Sequence, residues 1–536
     1  MISYDFFFKL TYLLTYLYLC YQIMNIINKI SKNHQKNIYI ALCIINLIFI
    51  INTSHRIIAS NIYYSLTLII LGVIFFHGYT SKINSIISLS ISSFIISLLF
   101  VDLMTYRMTS WYFHQVPNEI INIILDTNPD EINSNFFFST KEIIGLLIIA
   151  CNFLFILIGK RDSKFQLRHF YIFIILFVSL LIAFKPLGLA LKEINKGLSE
   201  LKKNAQIIKD KKNFKWDSKS TINDKQTVVL FLGETNRGDY LHFNGYPKNT
   251  TPNLDKENLV SFKNTISQGA YTLVSTPMIL SRKGVYDNGL FNETSIISAY
   301  KEAGYETWYV SYLSKSHIGD NEINLIANEA DHYVVSDVNV NTLEKILNNK
   351  SKKKLIVYKT IGSHYLYHTR YPSNYDVFKP SFNEKTYSTP SLKDKDKLEN
   401  SYANSELFSV DKQISDFINV LKNTDGLAYL SFISDHGTAI YDDGKSLYGG
   451  NTKGNYNIAH FFWFNDLYHK QHPELIQKLS INKDKKITSE CFVDTSLELS
   501  FIESKIKKGC SLLNDKFIEK QRLVKNGKVY DFDQDL

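Results

Sequence analysis

The chain of 536 residues lacks any basic stretch interleaved with exposed aromatics, so its formal net charge of +9 is no footprint of nucleic-acid binding. Many of its lysines instead stand beside apolar spans, where anionic lipid surfaces attract them. Nucleic acid is therefore excluded as a partner. The first apolar stretch, residues 6–27, also lacks the short hydrophobic region and small-residue cleavage site of a secretory leader. Further apolar stretches follow it, and it reads as an anchor. Cysteine is scarce, with five in all. Cys20, Cys43 and Cys151 lie inside apolar stretches, where a thiol acts as a small hydrophobe. Only Cys491 and Cys510 could pair, and a disulfide and two free thiols fit the sequence equally.

What is present falls into two regimes, as expected of a chain too long for one ordinary core. Up to residue 184, Ile, Leu, Phe and Tyr dominate; beyond it Lys, Asp, Glu and Asn are frequent. Residues 1–184 read as a multi-span α-helical membrane domain. Its apolar stretches at 6–27, 38–51, 57–76, 83–104, 143–158 and 170–184 make five or six helices. Clusters at Lys29, Lys32 and Lys36, at Lys82, and at Lys160, Arg161, Lys164 and Arg168 go to the cytoplasm by the positive-inside rule. The loop 105–142 and everything after residue 184 then face the opposite, periplasmic side. Residues 185–222 form an amphipathic bridging helix and linker, with Leu187, Leu191, Ile194, Leu198 and Leu201 at helical spacing.

Residues 223–536 read as an α/β domain. β-Branched apolar runs at Thr227–Leu232, Glu306–Ser311, Lys354–Lys359, Leu427–Ile433 and His460–Phe464 are separated by helix-length stretches. That alternation predicts a mostly parallel central sheet, with ligands at the carboxyl ends of its strands. Two strands end in donor side chains: Glu234 follows the first, and Asp435 and His436 follow the fourth. Two carboxylates and an imidazole suit zinc or manganese and leave a fourth position for a nucleophile. His460 opens an apolar strand and reads as a core residue.

The run Gly233-Glu234-Thr235-Asn236-Arg237, continued by Asn244-Gly245-Tyr246-Pro247 and Asn249-Thr250-Thr251-Pro252-Asn253-Leu254, resembles the lipid A and core phosphoethanolamine transferases. These are relatives of alkaline phosphatase and the sulfatases. Ser434-Asp435-His436-Gly437 is similar to that family's second metal motif, and Thr272 stands where the family carries its nucleophile. Ile361-Gly362-Ser363-His364, Asn400-Ser401-Tyr402-Ala403-Asn404 and Leu125-Asp126-Thr127-Asn128-Pro129-Asp130-Glu131 resemble further family segments. The resemblance implies an alkaline-phosphatase/sulfatase-like catalytic domain in which Glu234, Thr272, Asp435 and His436 hold zinc. It also implies that Thr272 attacks phosphatidylethanolamine, and that a phosphoethanolamine-threonine intermediate passes its group to lipid A, LPS core or another envelope glycan. His364 would bind the donor phosphate or a second zinc, and Thr127 and Glu131 the ethanolammonium.

The chain departs from the family pattern at several positions. Gln268 and Met278 replace the cysteines that flank the nucleophile in many members, and Thr438 replaces a Glu. Leu447-Tyr448-Gly449-Gly450 replaces a later His-Gly. These changes leave the acceptor open. They also keep two rivals in play, a lipoteichoic-acid-type glycerophosphate transferase and a degenerate membrane-tethered binding module. A sulfatase is disfavoured because Ile279 stands where its Cys/Ser-x-Pro-x-Arg element needs Arg.

Overall fold

The computed structural model describes residues 206–313, 322–383, 385, 390–506 and 509–536. The predicted spans, the loop 105–142 and most of the bridging helix lie outside them; of that helix, residues 206–213 are described and are helical. Among the described residues no helix is long and apolar enough to cross a membrane.

Seven strands build the central sheet: β1 (Gln226–Gly233), β2 (Leu259–Ser261), β3 (Glu306–Ser311), β4 (His332–Val335), β5 (Lys353–Lys359), β6 (Leu427–Ser434) and β7 (His460–Phe464). Their spatial order is β2-β7-β6-β1-β5-β3-β4. The five strands from β6 to β4 are parallel, in register Leu232↔Ile433 and Leu232↔Lys359 around the central β1. β1 and β6 are buried along their whole length, which is why both read as unbroken apolar runs. Alternate residues still serve different layers. Val228, Leu230 and Leu232 pack into one core with Leu355, Val357, Tyr429 and Ile433. Val229 and Phe231 pack into the other with Ile356, Tyr358, Leu430 and Phe432.

The sheet is mostly parallel, and mixed at one edge. β7 runs antiparallel to β6, with Ile433 opposite His460, and β2 antiparallel to β7. A parallel return needs a crossover along the sheet, usually a helix. Between Ser434 and His460 the chain instead stays at the end where β6 finished, and its one helix spans only Lys453–Tyr456. The short strands β2 and β4 carry no run long enough to be read in advance. The packed core also reaches back before residue 223. Trp216 is 1% exposed, donates through its indole Nε1 to Thr294 Oγ1 and through its backbone N–H to Glu302.

Three helices bear on the site. α1 (Thr272–Leu280) starts at Thr272 itself. α2 (Lys395–Glu406) runs through a π-helical turn at Leu407–Lys412 into α3 (Gln413–Leu421), and Val410, Ile414, Phe417 and Ile418 lay this rod against the Phe231 face of the sheet. Cys491 and Cys510 are joined in a disulfide, which settles the open pairing.

Candidate metal and nucleophile site

Glu234 and Asp435 leave the sheet side by side because β1 and β6 pair in register up to Gly233↔Ser434. The chain then turns sharply at Thr235, whose φ of 62° is unusual for a residue with a Cβ. That turn aims the Thr235 N–H at Asp435 Oδ1 (3.1 Å) and its hydroxyl at Glu234 Oε1 (3.0 Å). Asp435 Oδ1 also accepts from the His436 N–H at 2.7 Å. Gly362 lies over the same turn with φ 46°, and a Cβ there would stand 2.3 Å from the Glu234 carbonyl oxygen, so only glycine fits. Gly437 is held equally closely, its Cβ position 2.1 Å from the Gly454 carbonyl oxygen.

Thr272 comes to this cluster from the first turn of α1. Its Oγ1 lies 3.1 and 3.2 Å from the two Glu234 oxygens and 3.2 Å from His436 Nε2. His436 Nε2 is 3.3 Å from Glu234 Oε1 and 3.9 Å from Asp435 Oδ1, while its Nδ1 faces the Gly437 carbonyl at 2.7 Å. Glu234, Asp435 and His436 thus present three donor atoms mutually within 4.8 Å. Four donors of two carboxylates, one imidazole and one hydroxyl make the small oxygen and nitrogen set that suits zinc. The turn that follows Glu234 is strained at Thr235, a feature common where a site is preorganised. The residues fit the ion.

The electrostatics point the same way. Burial alone would raise the Glu234 carboxyl, yet the Lys359 ammonium and the His436 ring hold it well below the usual carboxylate range. Burial opposes charge on His436, but Asp435 and Glu234 beside it push its pKa up to about 9. Two carboxylates, 2% and 0% exposed, are concentrated where a cation would compensate them.

Sequence reasoning missed the support beneath these groups. Asn236, 1% exposed, accepts the Glu234 N–H through Oδ1 (3.1 Å) and donates from Nδ2 to Ser363 (3.1 Å), Glu406 (3.0 Å) and Ser409 (3.2 Å). Burial pushes the Glu406 carboxyl up to about 8, leaving it protonated at neutral pH. Tyr402, from the Asn-Ser-Tyr-Ala-Asn helix, donates its hydroxyl to the Thr235 carbonyl (2.6 Å) and accepts the Arg237 N–H (2.8 Å). The long run 244–254 is likewise structural. Thr250 and Thr251 tie back to residues 240–243, and Asp411 on the π turn accepts the Asn253 and Leu254 N–H groups. Lys359 was also missed; a lysine closing a strand reads as solvated, but this one is 7% exposed and donates to both carboxylates.

His364 lies half-buried in the loop after β5, its Nδ1 2.8 Å from the Tyr365 carbonyl, and it is near enough to bear on the charge of Glu234. Thr127 and Glu131 lie outside the described residues. Where cysteines might have flanked the nucleophile, the Gln268 N–H donates to Ser489 and its side chain reaches Glu490, while Met278 is buried. Thr438 pairs its hydroxyl with Tyr367. Tyr448 stacks on Tyr365 with ring centroids 4.7 Å apart. His460 is a core residue, stacked on Phe262 and driven by burial to a pKa of about 3.

A mixed sheet whose strand tips gather a hydroxyl, two carboxylates and an imidazole defines an alkaline-phosphatase/sulfatase-like domain. Residues 226–499 match the sulfatase family, and the chain belongs to it. It is 26% identical over 340 residues to phosphoethanolamine transferase EptC of Escherichia coli (strain K12), a match covering 59% of this chain and 57% of that protein. The chain therefore spans little more than half the length of that relative. In fold it is similar to the integral membrane protein lipooligosaccharide phosphoethanolamine transferase A of Neisseria meningitidis, with TM-score 0.59 and 21% identity over 82% of this chain and 89% of that one. It is similar too to the C-terminal periplasmic domain of E. coli EptC, solved in complex with Zn, with TM-score 0.53 and 23% identity over 59% of this chain and 96% of that one.

Proposed function

We propose that the chain is a zinc-dependent transferase that moves phosphoethanolamine from phosphatidylethanolamine to an envelope glycolipid or glycan, with lipid A or LPS core the leading acceptor. The observation that carries this reading is the convergence of the Thr272 hydroxyl on Glu234 and His436, beside Asp435, at the strand tips. The EptC and lipooligosaccharide transferase relatives support the substrate class.

Glu234, Asp435 and His436 would hold the ion with Thr272. When bound, zinc supplies Lewis acidity that lowers the pKa of the threonine hydroxyl. Thr272 Oγ1 attacks the donor phosphorus, a P–O bond forms, and the bond to diacylglycerol breaks. The net proton passes from the Thr272 hydroxyl to the departing diacylglycerol oxygen. At the first turn of α1 the nucleophile also stands where helix N–H groups favour the phosphate. An acceptor hydroxyl or phosphate oxygen then displaces Thr272 from phosphorus and returns a proton to it. His364 on the donor side, and Thr127 and Glu131 toward the ethanolammonium, complete the assignment. We further assign residues 1–184 to a multi-pass inner-membrane domain, 185–222 to the bridge, and 223–536 to the periplasmic side, where donor and acceptor lipids meet the site.

Mass spectrometry of envelope glycolipids from cells expressing the wild-type chain or Thr272→Ala tests this. A phosphoethanolamine increment is expected with the wild type and not with the variant. An increment present in both, or in neither, overturns the assignment.

A further inference from the structure

The cation nearest the two metal-site carboxylates belongs to the chain itself. Lys359 is the last residue of β5, opposite Leu232 of β1 and Ser311 of β3, so its side chain rises at the same edge of the sheet as Glu234. Its Nζ donates to Glu234 Oε2 at 2.5 Å and to Asp435 Oδ2 at 2.9 Å. The lysine is 7% exposed, and its partners 2% and 0%. An ammonium so enclosed is held by its partners, since leaving them would strand three charges in a buried place.

Paired metal sites place two divalent ions about 3.5–4 Å apart, clamped by shared groups. Here an ammonium already bridges one oxygen of each carboxylate. A second ion bridging the same pair would have to evict it. The other side of the cluster stays available, because His436 lies against Glu234 Oε1 (3.3 Å), the oxygen Lys359 does not touch, and Thr272 Oγ1 spans both oxygens at 3.1 and 3.2 Å.

We propose that Lys359 is a positioning residue of this centre: its ammonium occupies the bridging place between Glu234 and Asp435, orients both carboxylates, and limits the site to one divalent ion. This rests on the metal-dependent reading above. It also gives the second charge of a two-cation site a source in the chain.

The test is zinc counting on the purified full chain in detergent, by equilibrium dialysis and elemental analysis, with Glu234→Ala as the baseline that lacks the site. The wild type is expected to hold one ion above that baseline. Lys359→Arg, which keeps the charge, should also hold one, whereas Lys359→Met should take a second. Lys359→Gln provides the same charge loss if the methionine variant fails to fold, and cobalt(II) absorption gives an independent count. Two ions in the wild type overturn the proposal, as does a single ion of wild-type affinity in the charge-free variants. Phosphoethanolamine transfer that is absent from the zinc-loaded wild type would instead refute the functional reading and leave these counts standing.

Discussion

Replacing Asn236 by alanine should loosen the metal site without touching a single donor atom. The side chain links the Glu234 N–H to the Ser363, Glu406 and Ser409 cluster, while the Ser363 N–H donates separately to the Glu234 carbonyl at 2.9 Å. Truncation leaves the buried Glu234 N–H without its acceptor and Glu406 Oε1 without its donor; Ser363 and Ser409 can still pair with each other at 3.1 Å. Two orphaned buried groups at about 1–3 kcal/mol each put the cost near 3 kcal/mol. For a domain the size of residues 226–499, an unfolding entropy of about 2.1 cal/mol/K per residue turns this into a drop in Tm of about 5 °C. Thermal melting of the zinc-free chain can be followed through Trp216, Trp308 and Trp463, all buried in the described domain. Zinc titration of the same protein should show weaker uptake, because the residue preceding Thr235 has lost its anchor. A Tm within 1 °C of wild type (roughly 0.5 kcal/mol by the same conversion), together with unchanged zinc affinity, would refute the reasoning.

Zinc uptake should depend on pH through His436, which must be neutral to ligate. With its pKa near 9 in the metal-free chain, uptake releases a proton below pH 9, and apparent affinity should rise roughly tenfold per unit between pH 7 and 9; calorimetry that shows a flat profile contradicts this. His460 works in the opposite sense. Its folded pKa of about 3 lies below the ordinary 6.5, so its contribution is complete above pH 6.5 and is lost as pH falls toward 3, at about 1.4 kcal/mol per unit. His460→Phe, among Phe262, Phe462 and Phe492, should therefore flatten the acid limb of a stability–pH curve, and an unaltered limb would count against a buried neutral imidazole. Replacing Cys491 and Cys510 by serine opens a loop with a sequence separation of 19 and should cost about 3 kcal/mol in denaturant unfolding. A loss below about 0.5 kcal/mol would mean that the bond constrains little.

How legible the protein was varied by level. β1 and β6 announced themselves because central parallel strands are apolar on both faces, and their terminal Glu234, Asp435 and His436 stood out as polar residues at the ends of such runs. The reversal of β7 was not legible, since apolar patterning carries no direction. Nor was the role of Lys359 or Glu406. A charged residue in a sequence reads as exposed unless its partners are known, and these partners lie 76 to 170 residues away. The disulfide needed a distance. Thr272 was found through family resemblance, because a threonine opening a short helix carries no signal of its own.

The central claim, that Thr272 is the nucleophile, is tested most directly by fragment mass spectrometry of the peptide that contains it. Zinc-loaded protein incubated with phosphatidylethanolamine and no acceptor should carry one phosphoethanolamine group on Thr272, absent after zinc is removed and in Glu234→Ala. An adduct on another residue, or an unmodified Thr272 in a preparation that transfers the group when acceptor is supplied, would contradict the account.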